Sequence, residues 1–110
     1  MLRYSELTDN QKSIICNGCG GKGVFIKPPD FIFKASCNQH DFYYWLGKDE
    51  NDRKKADKEF YRFMRIDISE VELIKKPYYH TWALAYYLSV RAFGRKFFNY
   101  SDKYKTVEEI

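Results

Sequence analysis

Cysteine is scarce and odd in number, three in 110 residues, so a closed disulfide framework cannot use them all and the fold must rest on a hydrophobic core. Proline is also thin on the ground. Two of its three copies are adjacent, at Pro28 and Pro29, which leaves long stretches open to helix. No apolar run is long enough to span a bilayer: "TWALAYYLSV", the most apolar stretch, is about half the ~20 residues required. The opening "MLRYSELTDNQ" is polar and has no apolar centre ahead of a cleavage site, so no secretory signal is seen. The product is expected in the cytoplasm as made, with any export left to a non-classical, phage or secretion-system route. An arginine-rich tract is missing as well. The net charge of +4 is spread over positions such as Lys54, Lys75, Arg91 and Lys96. That spread excludes nucleic acid as the expected partner, while the mild excess favours some anionic surface.

What is present points to a helical globule. Apolar residues make up 45% of the chain and aromatics 19%, enough for a core, and 31% is charged, as in an ordinary soluble domain. One domain over residues 1–110 is the expectation, with the polar stretch 99–110 as a short flexible tail. The expected class is all-α, since no stretch reads as a convincing strand. A first helix is predicted over 5–15, capped by Ser5 or Thr8. A second runs from Phe31 or Phe33 to Leu46 and stops at Gly47. A third, capped by Asp49 or Asn51, runs to about Ile66. "SEVE" at 69–72 matches a capping box for a brief turn. Pro77 opens a long fourth helix reaching Phe98, with Tyr79, Ala83, Tyr86, Val90, Phe93 and Phe97 on one stripe. His80 reads as a core or boundary histidine in it. Between the first two helices lies "CNGCGGKG", residues 16–23, with four glycines in eight positions. Such a backbone can turn its carbonyls or amides inward.

The stretch "CNQHDFYYW", residues 37–45, sets two ionisable groups in an otherwise apolar helix. At about 100° per residue, Phe33, Cys37 and Tyr44 fall on the face of His40, so His40 points inward. On the third helix Asp57 shares a face with Phe60, Tyr61 and Met64. A carboxylate there is costly unless paired. His40 lies seven residues before Gly47 and Asp57 six after Asn51, so both stand roughly 9–10 Å from the turn. Antiparallel packing therefore sets them opposite one another. In such a pair the carboxylate fixes the imidazole tautomer and the other ring nitrogen can take a proton from water. Geometry alone leaves a catalytic dyad and an inert polar pair both open. The adjacent Asp41 and the glycine loop add a feature suited to a hard cation such as calcium.

Taken together, "GCGGKG", "CNQHDFYYW" and "RKKADKEF" resemble, in order, the calcium loop, the histidine–aspartate helix and the second long helix of the secreted-type phospholipase A2 superfamily, over roughly residues 16–64. The resemblance implies a small fold with two antiparallel core helices, a glycine-rich metal loop and a long C-terminal helix. It implies that His40 is the general base on water, that Asp57 orients it, and that Tyr44 supports the pair. It implies a Ca²⁺ ion held by Asp41 and by backbone carbonyls of Gly18, Gly20 and Lys22, with the Gly20 amide at the oxyanion. A bridge between Cys19 and Cys37 is also implied. The activity would be hydrolysis of the sn-2 ester of phospholipids at a membrane or micelle surface. With three cysteines, the chain would be a cysteine-poor member. Two alternatives stand beside it. Cys16, Cys19, Cys37 and His40 have the spacing of a structural zinc module, and the scaffold could be catalytically silent. Tyr100 and Tyr104 read as ordinary surface residues rather than lipid anchors.

Overall fold

The computed structural model describes residues 1–16, 19 and 31–110, and among them the regular elements are helices, with no strand beyond an isolated bridge between Lys48 and Tyr100. Four α-helices carry the architecture: α1 (Asp9–Ile15), α2 (Lys34–Leu46), α3 (Glu50–Ser69) and α4 (Lys76–Phe93). No described helix is long and apolar enough to cross a membrane.

Three of the four helix starts have a local cause. Thr8 rather than Ser5 caps α1: its hydroxyl accepts from the Gln11 amide, and the Gln11 side chain accepts from the Thr8 amide. Asp49 and Asp52 form the same reciprocal cap on α3, and Pro77 sits in the first turn of α4. Two boundaries differ from expectation. The "SEVE" box does not form, because α3 continues through Ser69, whose hydroxyl donates to the Ile66 carbonyl at 2.6 Å. Helix α4 stops at Phe93 rather than Phe98, and a 3-10 turn over Gly94–Lys96 follows.

That early stop changes which aromatics turn inward. Ala83 and Tyr86 are buried against α3 as the stripe requires, with Tyr79 and Val90 packed beside them. Phe93 is 71% exposed and Phe97 37% exposed, while Phe98 is buried. The tighter turn shifts the helical phase beyond Phe93 by one residue, so that Phe98 rather than Phe97 turns inward. His80 is exposed rather than packed.

The α2–α3 hairpin is the centre of the molecule. Phe33, Cys37, Phe60, Met64 and Ile68 fill the layer that α4 covers, and Phe42 and Leu46 pack the other side of α2 against Leu7 and Ile15. Gly47 closes α2 with φ +79°, and a Cβ there would stand 2.1 Å from the Asn99 carbonyl oxygen. Both the left-handed backbone and the space demand glycine. Gly47→Ala is expected to cost on the order of 2 kcal/mol, read as a lowered midpoint in urea unfolding.

The segment after residue 98 lies along this turn. Asn99 and Lys105 amides donate to the carbonyls of Tyr44 and Leu46. The Tyr100 and Tyr104 hydroxyls donate to Glu50 and Asp52 at the start of α3. Those two tyrosines thus hold the tail against the helix cap.

Candidate functional site

The antiparallel hairpin brings His40 of α2 and Asp57 of α3 together, with Nε2 of the imidazole 2.7 Å from Oδ1 of the carboxylate. His40 is stacked on the Phe60 ring at 4.5 Å and lies 4.1 Å from the Tyr44 ring, centre to centre. These contacts fix the imidazole plane. The Nε2–Asp57 bond selects the tautomer with its proton on Nε2, which leaves Nδ1 as the basic nitrogen. Burial pushes the His40 pKa below its ordinary 6.5, and the nearby Arg53 cation lowers it further, although Asp57 pulls the other way. The imidazole is therefore neutral at pH 7.

Asp57 is completely buried, and its two oxygens are shared among several donors. The Tyr44 hydroxyl donates to Oδ1 at 2.6 Å. The Arg91 guanidinium donates to Oδ2 at 2.7 Å, and Arg53 stands 3.7 Å from the same oxygen. Burial raises the pKa of this carboxyl, but bonds from His40, Tyr44 and Arg91 outweigh it and hold the group below 3.8. Burial, followed by the bond to Asp57, raises the Tyr44 hydroxyl, which stays protonated and donating. Arg53 in turn binds Glu50 and donates to the Val90 carbonyl. The result is an alternating network of charge in which Arg53 and Arg91 each lie between Glu50 and Asp57, with Asp57 joining it to the imidazole.

Neither arginine is assigned to the site by sequence reasoning. Arg53 carries a signal, because it precedes Asp57 by four residues on one helix. Arg91 carries none: it comes from α4, 34 residues away.

A cavity of about 370 Å³ opens beside the pair. His40 and Asp41 line it together with Cys19 and Cys37, and Trp82, Phe93 and Phe97 supply apolar wall. Cys19 and Cys37 are joined in a disulfide. Gly18, Gly20 and Lys22 lie outside the described residues, so no carbonyl or amide of theirs is placed here. Among the described residues no group of three or more His, Cys, Asp and Glu side chains stands close enough to hold a metal ion.

The four residues of the zinc module are divided among other partners. A disulfide between Cys19 and Cys37 offers no thiolate to zinc. His40 turns Nε2 to Asp57. The Cys16 thiol donates to the Asn38 carbonyl at 3.1 Å, and burial, with the Asp41 charge adding to it, pushes its pKa up to about 11.

A family model described as prokaryotic phospholipase A2 matches residues 6–94, a span that takes in all four helices and the candidate dyad. No curated protein and no solved structure matches the chain.

Proposed function

The chain belongs to the prokaryotic phospholipase A2 family, and from that premise we propose that it hydrolyses the sn-2 ester of phospholipids, with His40 as general base on water and calcium as its metal. The observation that carries this reading is an imidazole on the wall of an apolar cavity whose Nε2 is held by a wholly buried carboxylate. That is the arrangement a base needs. It is neutral when resting, fixed in one tautomer, and compensated by Asp57 once it becomes imidazolium.

The cavity takes an acyl chain against Trp82, Phe93 and Phe97, which sets the ester near His40. The exposed Phe93 places apolar surface at the lipid interface. His40 Nδ1 takes a proton from water as the water oxygen bonds to the ester carbon. The tetrahedral intermediate then breaks its bond to the glycerol oxygen, and the imidazolium returns its proton to that oxygen. One water is consumed, and a lysophospholipid and a fatty acid are formed. Asp57 keeps its charge throughout, because Arg91 and the Tyr44 hydroxyl hold it ionised.

The donor set suits calcium as far as its described member goes. Asp41 is a hard oxygen ligand, adjacent to His40 in sequence and on the wall of the same cavity. It would hold the ion with carbonyls of Gly18, Gly20 and Lys22, and the Gly20 amide would face the oxyanion. When bound, the ion polarises the ester carbonyl and offsets the charge that develops on its oxygen. A phosphatidylcholine carrying different acyl chains at its two positions tests the regiochemistry. Release of the sn-2 chain with an sn-1 lysophospholipid is expected, and release of the sn-1 chain would contradict the proposal.

A further inference from the structure

We propose that Gly94, at the junction of α4 and the 3-10 turn, is a positioning residue for the dyad, acting by leaving room for the Tyr44 hydroxyl on Asp57. The backbone does not ask for glycine here. Gly94 has φ −72° and ψ −16°, a conformation open to any residue. Space does ask for it. A Cβ at this position would stand 2.5 Å from the Tyr44 hydroxyl oxygen and 3.2 Å from two carbons of its ring.

Tyr44 is hemmed in by its neighbours except toward the cavity, which it lines together with Gly94. It is buried, its ring lies 4.1 Å from His40 and 5.2 Å edge-on from Phe98, and its hydroxyl is bonded to Asp57 Oδ1 at 2.6 Å. That oxygen is the same one that holds His40 Nε2. A methyl group on residue 94 therefore pushes the hydroxyl away from the carboxylate that aims the imidazole. The effect reaches His40 through two bonds, without any contact between residue 94 and substrate. Arg91, one turn earlier, holds the other oxygen of Asp57, so the end of α4 fixes both sides of the carboxylate.

The inference rests on the hydrolase reading for its catalytic consequence and on sterics for its cause, and a double-mutant cycle separates the two. The variants are Gly94→Ala, Tyr44→Phe and the pair, each measured for kcat and KM on micellar phosphatidylcholine and for thermal midpoint. Gly94→Ala is expected to lower kcat about tenfold or more, the loss of one bond to a charged group. KM should stay within about twofold. In the Tyr44→Phe background, where the 2.5 Å clash is gone and only the two 3.2 Å ring contacts remain, the alanine is expected to lower kcat and thermal midpoint by clearly less than it does in wild type. Equal factors in both backgrounds, or a Gly94→Ala enzyme with wild-type kcat, would overturn the proposal.

If wild-type protein shows no turnover, the hydrolase reading fails, and the midpoint cycle alone decides. Coupling supports steric action through the hydroxyl, and additivity overturns it. If Gly94→Ala fails to fold, a folded double variant supports the proposal and an unfolded one overturns it.

Discussion

His40→Gln is expected to retain the fold and lose turnover by about 10²–10⁴-fold, the contribution of a positioned general base. Glutamine fills much of the imidazole's volume, and its amide can still donate to Asp57 Oδ1, so the buried carboxylate keeps a partner where His40 Nε2 stood. What it lacks is a nitrogen able to take a proton. Circular dichroism and thermal midpoint should therefore stay near wild type while fatty-acid release falls to background. Retained activity would remove His40 from the base's role and the mechanism with it.

Asp57→Ala is expected to act on stability as strongly as His40→Gln acts on rate. Asp57 is fully buried, faced by His40 and Tyr44 on one oxygen and by Arg91 and Arg53 on the other. Removing one partner of a buried ion pair leaves the rest uncompensated, at a cost of about 3–5 kcal/mol. The low end applies, because Arg53 keeps Glu50 and the Arg91 side chain is 28% exposed. Urea unfolding checks this, and a loss under about 1 kcal/mol would show that the network contributes little.

The same carboxylate sets an acid limit. Its folded pKa lies below 3.8, since the bonds from His40, Tyr44 and Arg91 overcome the burial that raises it. A depressed folded value contributes stability that is fully present above the unfolded pKa. That stability is lost as pH falls through the folded one. Wild-type protein is therefore expected to lose stability below pH 3.8, and Asp57→Ala should show a shallower loss over that range. Parallel acid titrations followed by circular dichroism would reveal the difference, and equal slopes would contradict it.

The pairing of His40 with Asp57 is legible in the sequence because a tight turn makes sequence distance into spatial distance. The two residues stand at matched spacings from Gly47 and Asn51, and two antiparallel helices leave them one arrangement. Gly47 and Asp49 are readable for the same reason, as local chemistry that ends one helix and begins the next. Arg91 and Gly94 are not. Their roles depend on how α4 crosses the hairpin, and nothing within α4 encodes that crossing. Phe93 and Phe97 show the same limit: the helical stripe puts them in the core, but Phe93 is the last residue of α4 and Phe97 follows the 3-10 turn, and both stand exposed beside the cavity. A periodic pattern describes a helix only while the helix lasts.

The proposed activity requires both the His40–Asp57 pair and a calcium ion at Asp41. Fatty-acid release from mixed phospholipid micelles, measured on one preparation with added calcium and with chelator, reads out that requirement. Release is expected with calcium, and background with chelator. Equal release in both conditions would contradict the metal's part in the reaction. No release in either would contradict the hydrolase reading.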